Sequence, residues 1–343
     1  MPDRRDRGRV SEAPTFSVIV PLRDAAPFVA EAIASVQAQT AADWELIVVD
    51  DGSEDGGAGV VARVREPRLR LLRQENAGAL AARRAGLAVA RGDLVVFLDA
   101  DDRLRPDALA RFRAALAGRS DVAVAYGDRV LVDREGRPFG DERGALLAPR
   151  PSGDVLERIL ARSFLSTPGQ ACVRRAALAD APSWDTGVRR MGDWYAWCAV
   201  ACRGRFAYLG RGPVVEYRMH PGSMARSLAE RVPPLPSIDE LRPAIDAAFA
   251  LPGVVRRLPP ARRDALRRRC EAGAFAWKGQ ELLRLSRFAE SRAYFAEALR
   301  RHLSVVDLLC FALAVAGVFP PGVRRWIGQF DAGESGDRDR RRA

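Results

Sequence analysis

Leu94-Val95-Val96-Phe97-Leu98-Asp99-Ala100-Asp101-Asp102 is the stretch on which the fold turns. Five apolar residues in a row, followed at once by acids, read as a short strand buried on both faces. Three carboxylates then crowd the point where that strand leaves its sheet. Upstream the same grammar repeats. Phe16 to Val20 is a strand, Pro21 to Ala26 a loop, and Pro27 to Gln39 has helical spacing in Phe28, Ile33 and Val36. Glu45 to Val49 is a second strand that runs into Asp50-Asp51-Gly52-Ser53, Leu69 to Leu72 a third, and Ala77 to Ala90 an alanine-rich helix. This alternation predicts an α/β domain with a Rossmann-like, mostly parallel sheet covered on both faces. Open sheets of that kind bind ligands beyond the carboxyl ends of their strands, where both acidic loops fall.

Past about Asp121 the pattern is mixed, with shorter strands expected near Val122 to Tyr126, Gln170 to Val173 and Val214 to Tyr217. A proline-rich stretch, Val232 to Pro236, then breaks the chain. Ala261 to Arg301 spaces Gly273, Ala276, Gly279, Ala289, Tyr294, Phe295 and Ala298 like one tetratricopeptide-type hairpin, which cannot bury its own face and should pack on the enzyme domain or form an interface. The expected organisation is a disordered basic tail over 1–14, the sheet domain over 15–228, a helical extension over 229–302, an apolar helix over 303–328 and a disordered charged tail over 329–343.

The chain has 343 residues, 48% of them apolar, enough for a substantial core. Lys278 is the only lysine, so the net charge of +11 is an arginine charge. It suits an anionic partner: nucleic acid, an anionic membrane surface or a phosphorylated substrate. Nucleic acid is disfavoured because no zinc finger, aromatic RNA-binding signature or basic helix occurs. Five cysteines, an odd number without paired spacing, fit a reducing cytosol, and Cys198 and Cys202 read as positions on a buried helix. Residues 1–14 lack the apolar run of a signal peptide, so export is not expected.

Carboxylates packed as tightly as Asp99, Asp101 and Asp102 repel one another, and a divalent cation offsets that cost. Hard oxygen ligands favour Mg²⁺ or Mn²⁺, ions that bridge carboxylates to a diphosphate. The plainer alternative is a solvated turn capping a helix that starts near Pro106. Asp50 and Asp51 can likewise be an Asx turn with Gly52, or hydrogen-bond a base or ribose. A response-regulator site would need a late lysine in the domain, and none precedes Lys278.

Together Phe16 to Asp24, Trp44 to Ser53, Asn76 to Asp102 and Met191 to Ser223 resemble the inverting, bacterial-type glycosyltransferases of family 2, over roughly residues 15 to 225. The resemblance implies the GT-A fold and hexosyl transfer from a UDP- or GDP-linked sugar to a saccharide or lipid-linked acceptor, in cell-surface polysaccharide or glycolipid synthesis. It makes Asp51 a contact to the nucleotide base, with Pro21 and Arg23 beside it. Asp99 and Asp101 become the pair that holds ribose and metal, with Asp102 an alternative ligand. Arg83, in Ala82-Arg83-Arg84 where the family often has Ala-Arg-Asn, is implied near the diphosphate. Asp193, in Gly192-Asp193-Trp194, matches the general base of a Glu-Asp-Trp motif whose glutamate is missing here; its alternative role is a helix N-cap. His220, in Tyr217 to Ser223, matches a closing motif whose histidine approaches diphosphate or metal.

Two rival readings of the domain are a nucleotidyltransferase and a nucleotide-sugar-binding module without catalysis. The first usually has a glycine-rich loop after its first strand, whereas Pro21 to Pro27 contains no glycine. Near the C-terminus, Leu303 to Pro320 is apolar apart from Ser304 and Asp307, and the aspartate and Pro320-Pro321 argue against a membrane span. An interfacial helix is expected. Val254 to Cys270 carries seven arginines against Asp264, a local balance of +6 suited to anionic headgroups at the inner membrane face, or simply a solvated surface.

Overall fold

The computed structural model describes residues 14–138, 150–178, 191–222, 233 and 237–317. Of the expected tail over 1–14 only Pro14 is among the described residues, and the tail over 329–343 and the boundary at 228 lie outside them. The chain runs β1 (Phe16–Leu22), α1 (Val29–Gln37), β2 (Trp44–Asp50), α2 (Gly57–Ala62), β3 (Leu69–Arg73), α3 (Ala79–Val89), β4 (Leu94–Phe97), β5 (Arg103–Leu104) and α4 (Ala108–Leu116). It continues through β6 (Val122–Val132), α5 (Leu156–Ala161), β7 (Ala171–Arg174), α6 (Arg175–Leu178), α7 (Gly192–Ala201) and β8 (Arg205–Arg218). Five helices follow: α8 (Arg242–Ala250), α9 (Pro252–Arg257), α10 (Pro260–Arg284), α11 (Phe288–Arg301) and α12 (Val305–Ala316).

The strands form one sheet in the order β3-β2-β1-β4-β7-β6-β8-β5. β1 lies between β2 and β4, parallel to both, with Phe16 opposite Trp44 on one side and Leu94 on the other. The chain moves from β1 to β3 on one flank and then crosses to β4 on the other, so the winding reverses at β1 and leaves a crevice at the carboxyl ends of the strands. Asp51 and Asp99 sit at that edge. Strand periodicity divides the core in two. Val18, Val20, Leu46, Val48 and Val96 pack with α1 and α4 on one face, while Ile19, Ile47, Val49, Val95 and Phe97 pack with α3, α5 and α7 on the other.

Three features depart from the sequence reading. β6 and β8 are longer than the short strands expected, because their parallel pairing is interrupted by register shifts near Gly127 that break the alternation of apolar residues. β5 is only two residues long and carries no pattern of its own. The helix expected near Pro106 starts at Ala108, with Asp107 at its N-cap and no side-chain cap bond, so the acidic loop is not a helix cap. The C-terminal helices share a core with the sheet domain: Phe275, Tyr294, Phe295 and Cys310 belong to the same apolar cluster as Trp194, Trp197 and Phe206. The hairpin of α10 and α11 therefore buries its face against the sheet domain.

At the amino ends of the strands, away from the crevice, a polar node closes the sheet. Glu45 accepts from Ser17 Oγ at 2.7 Å, from Arg91 N at 2.6 Å and from Arg91 Nε at 3.1 Å. Burial pushes the Glu45 carboxyl up, but the bonds from Ser17 and Arg91 outweigh it and hold the group below the ordinary carboxylate range. Gly92 N–H donates to Ser17 Oγ at 2.9 Å, and a Cβ on Gly92 would stand 2.6 Å from Phe16 C and Ser17 N. Gly92→Ala is therefore expected to destabilise the fold by about 1–3 kcal/mol through backbone overpacking. In urea titration its midpoint should fall with an unchanged slope.

Candidate active site

The loop after β4 is held from below by residues that the sequence reading did not single out. Arg218, the last residue of β8, has a wholly buried side chain. Its Nε donates to Asp101 O at 2.9 Å, its NH1 to Arg134 O at 2.6 Å and its NH2 to Glu31 Oε2 at 2.7 Å. Its backbone N–H donates to Asp102 Oδ1 at 2.9 Å, and Thr167 Oγ1 donates to Asp102 Oδ2 at 2.7 Å. Asp102 is 0% exposed and both of its oxygens are engaged, so the alternative of Asp102 as a metal ligand is corrected: it ties the loop to β8. Burial, reinforced by the charges of Asp101 and Asp99, pushes its carboxyl well above the usual range.

Asp101 and His220 point the other way. Asp101 Oδ2 lies 3.0 Å from His220 Nε2, and the imidazole packs on Phe28 with ring centroids 4.7 Å apart. Among the described residues no group of three or more His, Cys, Asp or Glu side chains surrounds a common point.

The third part of the site joins α3 to α7. Arg83 is almost fully buried; its NH2 donates to Asp99 Oδ1 at 2.7 Å and its NH1 pairs with Asp193 Oδ1. Burial disfavours the guanidinium charge, but Asp193 and Asp99 outweigh it and hold the Arg83 pKa above its ordinary value. Desolvation on the cleft floor, with repulsion from Asp193 and Asp101, pushes the Asp99 carboxyl up to about 6 against the pull of Arg83. Both terminal nitrogens of Arg83 thus donate to carboxylates of the cleft, at the place where the resemblance implies a guanidinium near the diphosphate. α7 begins at Gly192 with Met191 as its N-cap. Asp193 lies inside the first turn and not at the cap, and its side chain is 43% exposed to the cleft.

On the neighbouring strand ends, Asp51 is buried. Its Oδ1 accepts from Gln74 Nε2 at 2.7 Å and Ala77 N at 2.8 Å, and its Oδ2 accepts from Gly78 N at 2.8 Å. Arg23 NH1 donates to Asp51 O at 3.0 Å and also to Gly52 O. Pro21 pairs opposite Val49 at the end of β1. Asp51 and Arg23 therefore bind together the loops after β1, β2 and β3, and Asp51 shapes the approach to α3.

Residues 17–180 match the family described as Glycosyl transferase family 2. The succinoglycan biosynthesis protein ExoO of Rhizobium meliloti (strain 1021) is 30% identical over 308 residues, which make up 86% of this chain and 86% of that one. The chain belongs to glycosyltransferase family 2. Another similar curated protein, an O-antigen biosynthesis protein of Myxococcus xanthus, is far longer, and the match spans only 13% of it. This family 2 enzyme also has the GT-A fold. S. aureus TarS 1-349 in complex with UDP-GlcNAc aligns with a TM-score of 0.60 at 18% identity, covering 91% of this chain and 89% of that one. The mannosyltransferase PcManGT from Pyrobaculum calidifontis, in complex with GDP-Man and Mn²⁺, aligns with a TM-score of 0.51 at 18% identity over 93% of this chain and 84% of that one.

The strut role of Asp102 is open to a direct test. An amide is isosteric with the carboxylate and can keep both partners, its oxygen accepting from the Arg218 N–H and its NH2 donating to Thr167 Oγ1, so Asp102→Asn should keep the thermal midpoint near that of the wild type. Asp102→Ala leaves the Thr167 hydroxyl and the Arg218 N–H unpaired and should lower unfolding stability by about 1–3 kcal/mol. Wild-type stability in the alanine variant would overturn the strut role.

Proposed function

We propose that this family 2 enzyme moves a hexosyl group from a UDP- or GDP-linked sugar to a hydroxyl of a saccharide or lipid-linked acceptor, with inversion, in cell-surface polysaccharide or glycolipid synthesis. The observation that carries the reading is the Arg83 bridge: one guanidinium joins Asp193 to Asp99 of the acidic loop, so an exposed carboxylate faces the same cleft as the loop. The names of the similar proteins support the substrate class, since ExoO is a succinoglycan biosynthesis protein and the two solved structures hold UDP-GlcNAc and GDP-Man.

In this reading Asp193 accepts the acceptor's proton as the hydroxyl oxygen attacks the anomeric carbon from the side opposite the diphosphate, through an oxocarbenium-like transition state. Arg83 orients that carboxylate. Asp51, Pro21 and Arg23 border the nucleotide base, and Asp99 takes the ribose. Asp101 with His220 offers a carboxylate and an imidazole, a donor set that fits Mn²⁺ and, less well, Mg²⁺, ions that are commonly bound by one or two protein groups plus substrate phosphates. Bound there, the ion would supply charge neutralisation for the leaving diphosphate. A panel of nucleotide sugars with and without Mn²⁺, followed by thermal shift and turnover, tests the whole reading. Asp101→Asn should lose the metal-dependent part of affinity, and Asp193→Asn should lower kcat by about 10²- to 10⁴-fold with donor affinity retained. Donor binding without any turnover in the wild type would instead support a binding module.

A peripheral position at the inner membrane face is the companion proposal. α12 buries Cys310 and Ala314 but leaves Val305, Leu308, Leu309 and Val315 exposed along one stripe. An apolar stripe of this kind suits the interfacial zone of a bilayer. No helix among the described residues is long and apolar enough to cross a membrane. Of the seven arginines counted toward headgroup binding, Arg257, Arg262 and Arg267 are paired with Asp154, Glu157 and Asp246, so the stripe carries more of this argument than the charge does. In flotation assays the protein should rise with anionic vesicles at low salt, and Leu309→Glu should abolish this. A wild type that stays at the bottom of the gradient overturns the proposal.

A further inference from the structure

The first turn of α7 meets α3 at a place where a side chain has been omitted. A Cβ on Gly192 would stand 2.3 Å from Leu80 Cδ1 and 2.6 Å from Leu80 Cγ, so the leucine occupies the volume that any larger residue at 192 would need. Leu80 and Arg83 are three residues apart on α3 and share one helix face. Gly192 and Asp193 are adjacent on α7. Two contacts thus lie side by side between the same two helices: Leu80 on Gly192, and Arg83 on Asp193.

The backbone just before this junction is constrained as well. Met191 has φ of 56°, a left-handed conformation that costs a residue with a side chain about 1–3 kcal/mol and persists where its surroundings over-determine it. Leu80 and Met191 both pack against the apolar cluster that contains Trp194 and Trp197. The start of α7 is therefore fixed by packing on either side of Gly192, and the direction of Asp193 follows from it.

We propose that Leu80 is a positioning residue for Asp193: seated on Gly192, it sets how closely α3 approaches α7 and hence whether Arg83 reaches the carboxylate. Leu80 acts through Arg83 and Asp193. The two positions form a steric pair in which volume added at 192 must be removed at 80. This rests on the reading of Asp193 as the base. It also gives a physical reason for the missing glutamate before Asp193, because Leu80 in its present rotamer fills the space that a side chain there would take.

The test is a double-variant cycle on the full chain, with kcat, donor KM, nucleotide affinity and thermal midpoint measured for each protein. A misplacement of about 1 Å at a reacting group can cost on the order of 100-fold. Gly192→Ala should therefore lower kcat by about 10- to 100-fold while donor KM and nucleotide affinity stay near wild type. Adding Leu80→Ala, or Leu80→Val if the alanine variant is unstable, should restore kcat to within about threefold of wild type; such non-additivity is expected only for residues in contact. Near-normal kcat in Gly192→Ala overturns the inference, and so does equal impairment of the single and double variants. If Asp193→Asn retains full turnover, the base reading itself has failed and this inference fails with it. If Asp193→Asn is crippled and the cycle is additive, only the inference falls.

Discussion

Several carboxylates converge on the carboxyl edge of this sheet, and two buried guanidinium groups make the arrangement tenable. Asp99 and Asp193 share Arg83; Glu31 and the backbone of the acidic loop share Arg218. A buried charge without a partner is costly, so removing Arg83 would leave Asp99 and Asp193 facing one another, and removing Arg218 would take the donor from the carbonyls of Asp101 and Arg134. Arg83 links α3, the end of β4 and α7. Arg218 links α1, the same loop and β8. Five segments far apart in sequence take their places at the site through these two side chains.

The acidic loop shows how finely such compensation separates neighbours. Asp101 and Asp102 are adjacent, yet one faces His220 in the cleft and the other is sealed between Thr167 and the Arg218 amide. A tight turn produces this division, with Asp102 N–H donating to Asp99 O at 3.1 Å, so that Asp99 and Asp101 remain partly exposed while Asp102 is directed inward. The buried acid gives the turn its rigidity, and the partly exposed pair keeps capacity for a ligand. At the opposite end of the strands the node of Ser17, Glu45 and Gly92 contributes stability without facing the cleft.

The parallel half of the fold was legible because β1, β2 and β4 carry unbroken apolar runs, Val18 to Val20, Leu46 to Val49 and Leu94 to Leu98, that end at Pro21, Asp50 and Asp99, a signal that needs no partner to interpret. β6 and β8 were read too short because their register slips around Gly127, which erases the period of two that marks a strand. At the site, Asp99, Asp101, Asp193 and His220 stood out through motif and spacing. The inward turn of Asp102 did not, since its partners lie 65 and 116 residues away and only the folded sheet brings them close. The same limit applies to Arg83, whose second carboxylate is 110 residues distant, and to Leu80, whose importance depends on an absent side chain on another helix.

The choice of arginine at position 83 follows from the geometry it must satisfy. A lysine ammonium is a compact point charge, and neutralising two carboxylates with it would draw both toward one atom. A guanidinium is a rigid fork whose terminal nitrogens donate in different directions, so it can hold Asp99 and Asp193 apart while neutralising both. Separation matters as much as neutralisation, because the cleft lies between the carboxylate of Asp193 and the acidic loop, and a fork that spans the two keeps it open. The fork in turn needs α3 at a fixed distance from α7, and the close seat of Leu80 on Gly192 supplies that distance. Charge compensation and apolar packing are therefore two halves of one constraint, and the side chain missing from residue 192 is what lets both be met at once.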